Sequence, residues 1–457
     1  MTAETLPTAE LYREHLQRQV LPYWLENGID RELGGFYTCF DNRGEHLVST
    51  DKYTWSQGRF VWMLAKASEL AGKNAITADA EELLAYASAG AQFLVDHAVL
   101  PDLSCKYVVA RDGGAVDGST GTGAGSSLYA DSFVVIGLSE LARVSGNEPL
   151  FEQAWRIYAA TDERIRSGIV RTEPYPVPDG FSAYGVAMIM LNTATALHDA
   201  ACALDRDAGT RSATRDAMAA WLDTMTSRYV VGRDVVELAS GDERQQDTLL
   251  ARHRTPGHAV EGMAFAVQAA TRLGVTDMAP RASSVVERAL QLGWDEEHGG
   301  LYRYVDKDGH APSGRLLGGR LESLIVDTWD TKLWWPQVEA LYATRLCYEL
   351  TGSREMASWT RRAHDYTFSV FPARAGEGLE WIQIRDRRNR PLDKVVALPV
   401  KDPFHITRSL LLLVELLTGP GTQSPGTSSP DASSPDASSP DTSSPDTSDP
   451  EGSPTPQ

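Results

Sequence analysis

Two histidines in this sequence stand in the same local setting. The stretch "TPGHAVEGMAF" places His258 directly after a Pro-Gly turn, at the start of an apolar run typical of a helix, and Glu261 follows three positions later. The stretch "KDPFHITRSL" places His405 after a proline turn in the same way. Neutral imidazole accepts a proton and imidazolium donates one near pH 7. Two such rings on opposite sides of a substrate could remove a carbon-bound proton from one face and return one to the other, which is the chemistry of epimerisation.

A purely structural role is the competing interpretation, because a single histidine at a helix start is commonly hydrogen-bonded to a nearby backbone group. The repetition of the setting on two separate segments favours the catalytic interpretation. Lys401 stands four residues before His405, and Arg59 stands near the start of another predicted helix. Either could stabilise the negatively charged oxygen of an enediolate.

Aromatic residues near other helix starts favour a sugar as the ligand. Trp55 and Arg59 are four residues apart, so they would share one face of a helix. "SSLYADSF" offers Tyr129, and "DTWDTKLWWPQVEAL" places Trp334, Trp335, Gln337 and Glu339 together. Aromatic faces bind the C–H face of a pyranose ring, while carboxylates and guanidinium groups bind its hydroxyls. For each of these residues, packing in the core of a large helical protein is the alternative.

The elements that must position these side chains are mainly helices. Apolar residues recur at three- and four-residue spacing in about a dozen segments. They are predicted to begin near residues 7, 57, 80, 129, 148, 184, 211, 258, 279, 335, 354 and 405. Several end in a glycine stop, as in "ELAGK" and "TRLGV".

A repeated unit lies between some of these helices. "DRELGGFYTCFDNRG" (30–44) matches "DEEHGGLYRYVDKDG" (295–309), and "GLEWIQIRDRRNRP" (378–391) is a weaker third copy. The alternation followed by Asp and Gly predicts short β-hairpins. Repetition of helix–hairpin–helix units indicates an array of helix pairs, and six pairs can close into a ring. The predicted fold is therefore an all-α (α/α)6 barrel with short β-hairpins in its loops.

Composition excludes several functions. The chain has 457 residues and a net charge of −19, which argues against nucleic acid as a partner, because phosphate binding needs a basic surface. The longest apolar run, "LLLLVELL", is too short to cross a bilayer, and the N-terminus does not resemble a signal peptide. The four cysteines are far apart, which indicates free thiols in a reducing compartment. We expect a cytoplasmic protein that does not bind membranes.

The composition changes abruptly near residue 419. The repeats of Ser-Ser-Pro-Asp that follow have almost no apolar side chains, and proline at every fifth position prevents a helix. We therefore predict one catalytic domain over residues 1–418 and a disordered, acidic tail over residues 419–457.

Six motifs together resemble the N-acylglucosamine 2-epimerase family, in the order that the family has them. They are "DKYTWSQGRFVW", "YADSF", "TPGHAVE", "GWDEEHGGLYRYVDKDG", "KLWWPQVEAL" and "KDPFHITRSL", and the resemblance runs from about residue 8 to residue 418. It implies an (α/α)6 barrel and proton transfer at C2 of a ring-opened sugar, without a cofactor or a metal. A small-molecule sugar is the expected partner, and a homodimer is an open possibility for the assembly.

The resemblance also implies roles for individual residues. His258 and His405 correspond to the acid/base pair, and Arg59 to the residue that holds the reacting oxygens. Glu261 corresponds to a carboxylate that supports a histidine. Trp334 and Glu339 match a wall that contacts the ligand.

The sequence departs from the family pattern at one place, and this narrows the expected substrate. The mannose-isomerising and cellobiose-epimerising branches carry a further histidine in a helix that here reads "GFSAYGVAMIMLNTATAL", with no histidine before His198. This favours interconversion of N-acyl-D-glucosamine and N-acyl-D-mannosamine, with an aldose–ketose isomerase acting on mannose or a related hexose as the alternative.

Two further classes stay open at this point. A glycoside hydrolase on a similar barrel would need two carboxylates, for which Asp131, Asp330 and Glu339 are available, although Asp131 fits a turn or capping role better. A helical ring could also serve as a non-catalytic binding scaffold.

Overall fold

The apolar periodicity of the sequence folds into helices that begin close to the predicted positions. A computed structural model describes residues 6–116, 125–395 and 399–419. The helices are α1 Ala9–His15, α2 Leu21–Asn27, α3 Thr54–Gly72, α4 Ala80–His97, α5 Leu128–Ser145, α6 Glu148–Arg166, α7 Tyr184–Ala203, α8 Ala208–Tyr229, α9 Leu249–Arg252, α10 Pro256–Leu273, α11 Met278–Gly293, α12 Arg320–Thr328, α13 Trp334–Thr351, α14 Arg354–Val370 and α15 Phe404–Thr418. A π-helical turn, Leu16–Val20, joins α1 to α2, and Glu243–Gln245 is a 3-10 turn.

These helices form two layers. Six of them contact one another in a closed cycle, in the order α3, α5, α7, α10, α13 and α15, and α15 returns to α3. They are buried on nearly all sides, as their apolar composition requires. The amphipathic helices α4, α6, α8, α11 and α14 each pack on the inner helix that precedes them in the chain, and α1 packs on α15. The prediction of a mainly helical protein is confirmed.

Short ladders tie four of the six helix pairs together at one end. The strands are β1 Lys52–Tyr53, β2 Val108–Val109, β3 Ser182–Ala183, β4 Val230–Val231, β5 Asp234–Val235, β6 Leu238–Ala239, β7 His253–Arg254, β8 Val305–Asp306, β9 Lys332–Leu333 and β10 Ile384–Arg385. In the pairs β1–β2, β3–β6, β7–β8 and β9–β10, a strand just before an inner helix pairs with a strand that follows the next outer helix. Each ladder therefore fixes where an inner helix begins relative to the loop that follows its partner.

The repeated D-x-x-x-G-G units do not form the predicted hairpins. Among the described residues only β4 and β5 make a local two-stranded hairpin, and the repeated units are closed by isolated bridges such as Ile29↔Phe36. What the repeat encodes is a buried ion pair. Asp30 accepts a hydrogen bond from Lys52 at 3.0 Å, and this lysine also donates to the carbonyl of Gly34, which has a positive φ.

The second copy of the repeat contains the same ion pair. Lys332 Nζ lies 3.1 Å from Asp295 and donates to the carbonyl of Gly299. Arg387 adds a second cation to Asp295, as Arg111 does to Asp30. Because all four paired lysine and aspartate side chains are fully buried, a hydrophobic replacement of only one member would leave an uncompensated charge.

One described helix is long and apolar enough to cross a bilayer by length and composition. It is α7, and 67% of its most apolar stretch is buried within the protein. The inner position of α7 in the ring accounts for that composition, because a helix surrounded by other helices is apolar on all sides. The four cysteines are free, as predicted. The prediction of a disordered tail concerns residues that, apart from Gly419, lie outside the described part of the chain.

Candidate active site

A cavity of about 300 Å³ lies where the inner helices begin. Residues within the first two turns of all six inner helices line it, which places the helix N-termini around one space. From the predicted site the lining includes Trp55, Arg59, Tyr129, His258, Glu261, Trp334 and His405. The two histidines that the sequence singled out therefore share one cavity.

His258 is held by a carboxylate from a different helix pair. Its Nδ1 lies 2.8 Å from Oε1 of Glu237, and because a carboxylate oxygen only accepts hydrogen bonds, Nδ1 is the protonated nitrogen. This leaves Nε2 as the second, reactive nitrogen. Burial opposes the charged ring, but the Glu237 carboxylate outweighs burial and raises the pKa of His258 above its ordinary value. The His258 side chain is 33% exposed, so it remains accessible from the cavity.

His405 has a similar partner in a more buried setting. Its Nδ1 lies 2.8 Å from Oε1 of Glu339, whose other oxygen accepts a hydrogen bond from Arg408 at 2.8 Å. Burial would raise the pKa of Glu339, but Arg408 and His405 together hold it below its ordinary value. The Glu339 carboxylate is therefore charged, and it fixes the tautomer of His405 with the proton on Nδ1.

Arg59 completes the His405 side of the site. Its guanidinium donates a hydrogen bond to Nε2 of His405 at 3.2 Å and pairs with Asp402 at 3.2 Å. Because a guanidinium has no acceptor, Nε2 of His405 carries a lone pair and the ring is neutral in this arrangement. The guanidinium also lies 4.2 Å from the centre of the Phe133 ring, a cation–π contact that restricts its position.

Trp335 lies between the two histidines. Its ring centre is 5.3 Å from that of His258 and 5.6 Å from that of His405. Gly257 explains how α10 comes so close to α13, because a Cβ at this position would lie 2.5 Å from the Trp335 ring. The Pro-Gly-His motif thus has a packing reason as well as a chemical one.

Glu261 lies closer to His405 than to His258, the histidine on its own helix. Its Oε1 is 3.8 Å from Nδ1 of His405, and burial together with the nearby Glu339 carboxylate raises the pKa of Glu261. Glu261, Glu339 and His405 bring one possible metal-ligand atom each within 4.8 Å of one another. Glu339 already uses one oxygen for His405 and the other for Arg408, so a cation would have to displace one of these bonds.

Two predicted ligand residues do not reach the cavity. Glu339 is fully buried behind His405, so the structure corrects its predicted place in the ligand wall to a supporting one. Lys401 is also buried. Its ammonium pairs with Glu380 at 3.2 Å and donates to the carbonyls of Asn42 and Trp381. Since Glu380 lies in the third, weaker copy of the repeated unit, Lys401 is the counterpart of Lys52 and Lys332, and its predicted contact with substrate is wrong for this arrangement.

The three remaining predicted ligand residues lie in the cavity wall. Trp55 and Tyr129 contact each other edge-to-face at 5.9 Å between ring centres. The indole N–H of Trp334 is buried and has no hydrogen-bond partner among the described residues. Together these rings supply apolar faces to the cavity.

The carboxylates considered for a hydrolase do not flank the cavity. Asp131 accepts hydrogen bonds from the backbone N–H of Cys105 and from Arg164, so it anchors the segment around Cys105 and does not cap its own helix. Neither Asp330 nor Glu339 is among the residues that line the cavity. These three residues therefore give no pair suited to glycoside cleavage.

Sequence reasoning missed two residues of the site. Glu237 was missed because it lies in a short connection 21 residues before His258, and only the pairing of β3 with β6 brings it there. Its carbonyl accepts the N–H of Tyr184, the first residue of α7. Asp402 could have been found, because it stands directly beside Lys401 in the same motif.

Comparisons with known proteins match most of the chain. Residues 35–409 match the family model described as N-acylglucosamine 2-epimerase. An N-acylglucosamine 2-epimerase from Bos taurus is 30% identical, over 90% of this chain and 92% of the relative.

Among solved structures, a cellobiose 2-epimerase from Bacillus thermoamylovorans has a TM-score of 0.67 at 17% identity, over 89% of this chain and 98% of that one. A D-mannose isomerase has a TM-score of 0.68 at 17% identity, over 89% and 97%. At these identities the two structures establish a shared fold and no shared substrate. The family match covers most of the chain and both histidines, and the chain belongs to the N-acylglucosamine 2-epimerase family.

Proposed function

We propose that this protein is a sugar 2-epimerase that interconverts N-acyl-D-glucosamine and N-acyl-D-mannosamine. The observation that carries the proposal is the pair of imidazoles in one cavity, each bonded through Nδ1 to a carboxylate and both in contact with Trp335. The relative at 30% identity supports the N-acylated sugar as the substrate. We infer further that the two helical layers form an (α/α)6 barrel, which the closed cycle of six inner helices supports.

The reaction follows from the two reactive nitrogens. In the ring-opened aldehyde form, the neutral ring takes the proton from C2, and the electron pair of the C2–H bond moves into the C1–C2 bond as the C1 oxygen becomes negative. Arg59 lies beside His405 and stabilises that oxygen. The charged ring on the other side then protonates C2 on the opposite face, and the carbonyl re-forms. No redox change occurs, since one proton leaves C2 and one returns.

The surroundings of the two rings support different resting states. His405 accepts a hydrogen bond from Arg59, which requires a neutral ring. Burial lowers the pKa of His258, but the Glu237 carboxylate more than reverses this, and the resulting shift upward favours imidazolium. In the free enzyme His405 is then the base and His258 the acid, and one turnover exchanges these roles.

Incubation of the enzyme in D2O with N-acetyl-D-mannosamine, D-mannose and cellobiose, followed by proton NMR, tests the proposal. The expected product is N-acetyl-D-glucosamine with deuterium at C2. A ketose formed from mannose, with no change in the N-acetylated sugar, would establish the isomerase alternative instead. Cytoplasmic localisation and a homodimer stay predictions.

A further inference from the structure

The cavity continues further into the ring of helices than the two histidines. His258 is the third residue of α10, and Phe265, the tenth, also lines the cavity. Seven residues of helix correspond to about 10 Å along its axis. On α7 the lining likewise reaches the ninth residue, Asn192. A recess therefore lies below the reacting groups, away from the loops at the helix starts.

The wall of this recess is apolar. Met188 and Ile189 of α7 are 7% and 4% exposed, and Phe133 of α5 and Phe265 of α10 complete the wall. Residues 185, 188, 189 and 192 share one face of α7 because they are three or four positions apart. In the cycle of inner helices α7 stands three places from α15, so this face lies across the ring from the helix of His405.

One polar group interrupts the apolar wall. Asn192 lines the recess, and its side-chain amide makes no hydrogen bond within the part of the chain that the structure describes. An amide side chain offers both a donor and an acceptor. The Asn192 amide is only partly buried and is not among the buried polar atoms that lack a partner in the described residues, so it is accessible to a ligand in the cavity. The recess thus combines an apolar surface with a group that could pair with another amide.

The substrate has a substituent of this composition. If C1 and C2 lie beside Arg59 and the histidines, C2 carries two branches that must leave the reacting centre in different directions. One is the hydroxyl-rich chain C3–C6, and the other is an amide followed by an alkyl group. The loops at the cavity mouth contribute the polar residues Glu173 and Arg303, which suit the hydroxylated branch.

We propose that the recess holds the N-acyl substituent, an inference that depends on the proposed function. Asn192 hydrogen-bonds the acyl amide, and Met188 limits the length of the alkyl chain. The recess then determines which acyl groups are accepted.

A series of N-acyl-D-mannosamines tests this assignment. The kcat/KM values for N-acetyl, N-propanoyl and N-butanoyl substrates are measured from deuterium incorporation at C2. Met188→Ala is expected to raise the ratio of N-butanoyl to N-acetyl kcat/KM at least tenfold, and Met188→Phe to lower it, because one methylene in an apolar pocket changes selectivity by about 10- to 200-fold. Asn192→Ala should lower kcat/KM for all three substrates by a similar factor.

Met190→Ala is the matched control, since Met190 is fully buried on the same helix but contacts Ser132 rather than the cavity. It should lower the melting temperature as Met188→Ala does while leaving the ratio unchanged. Folded Met188→Ala and Met188→Phe proteins with the wild-type ratio would overturn the assignment of the recess alone. A wild-type enzyme that exchanges no deuterium into any N-acylmannosamine would instead overturn the proposed function on which the assignment rests.

Discussion

The two histidine sites each bond Nδ1 of an imidazole to a carboxylate, but guanidinium groups bond only to the His405 site. His258 bonds to Glu237 and is a third exposed, whereas His405 bonds to Glu339 and is only 6% exposed. Two guanidinium groups serve the His405 side, Arg59 on the ring and Arg408 on its carboxylate. Around His258 the carboxylates Glu237 and Glu261 both favour the charged ring, although Arg303 opposes them.

This difference shows how two identical side chains can take complementary roles. A base needs an unprotonated nitrogen, and the hydrogen bond from Arg59 to Nε2 of His405 requires one. An acid needs a proton, and the Glu237 carboxylate beside His258 favours the protonated ring. The His405 ring is the more restrained of the two. It has bonded partners on both nitrogens, whereas His258 has one at Nδ1 only.

Removal of either imidazole should have the largest effect and would separate their roles. His405→Asn and His258→Asn are each expected to reduce interconversion by about 10²- to 10⁴-fold, the usual contribution of a general acid or base. If the roles are divided as proposed, each variant retains C2 deuterium exchange with one epimer only, and the two variants retain opposite ones. NMR in D2O, started from each pure epimer, measures this. Equal exchange from both epimers in one variant would contradict the two-base mechanism.

Replacement of the carboxylates bonded to the two rings should lower kcat more for the carboxylate that is more buried. Glu339→Gln places an amide between His405 and Arg408, where both contacts need an acceptor, and should lower kcat by about 10²- to 10⁴-fold. Glu237→Gln should lower kcat less, because His258 is more exposed. It should also lower the pKa of His258. The pH-rate limb assigned to His258 as base would then move to lower pH, whereas Glu339→Gln leaves it in place. The reverse ranking of kcat would show that His258 depends more on its carboxylate.

A side chain at Gly257 should disturb both histidines through the ring that they share. Gly257→Ala introduces a Cβ at 2.5 Å from Trp335, so the indole must move. We expect a loss of stability of about 1–3 kcal/mol, the usual cost of overpacking, and a tenfold or smaller loss of kcat. Urea unfolding and steady-state kinetics measure the two effects. Gly72→Ala is the control, because a Cβ there would meet nothing within 4 Å.

The smallest expected difference lies in the pH dependence of stability. Glu237 has a lowered pKa, so it stabilises the fold above its unfolded value near 4.3, and that contribution is lost as the pH falls. The raised pKa of His258 stabilises the fold below its unfolded value near 6.5, and that contribution is lost as the pH rises through the folded value. The pair therefore contributes most between about pH 4.3 and 6.5.

Unfolding of Glu237→Gln and Glu339→Gln at pH 5, 7 and 9 tests this contrast. After a discount for solvent screening, Glu237→Gln should lose about 1 kcal/mol near pH 5 and less at pH 9. Glu339→Gln should remain destabilised at pH 9, because its partner Arg408 stays charged. Parallel pH profiles of stability for the two variants would contradict the predicted electrostatic difference between the His258 and His405 sites.

The helices and the two histidines could be predicted from the sequence because both depend on local order. All twelve predicted helix starts lie within three residues of observed ones, since apolar periodicity and glycine stops act over a single turn or two. His258 and His405 stand at helix starts, and in a ring of helix pairs such starts converge on one cavity. What the periodicity does not reveal are the short helices α2, α9 and α12.

The rest of the site could not be predicted, because it depends on pairing between distant segments. Glu237 reaches His258 only after β3 pairs with β6, which lies 56 residues further along the chain. Lys401 was misjudged for a related reason. A cation four residues before a histidine looks the same in sequence whether it faces a ligand or, as here, a buried Glu380. Glu380 lies in the third copy of the repeated unit, which matches the pattern least well. The repeat therefore gave only a weak indication that Lys401 would pair with it.

The pairing of α1 with α15 has a consequence for biosynthesis. The helix that carries His405 follows every other described helix, and the helix packed behind it precedes them all. During translation Arg59 and His258 therefore emerge well before His405. Helix α1 cannot pack on α15 until nearly the whole domain has been synthesised. A nascent chain arrested before α15 can contain most of the helices and still lack a reaction centre. Catalytic competence thus appears only after α15 has been synthesised and has docked with α1.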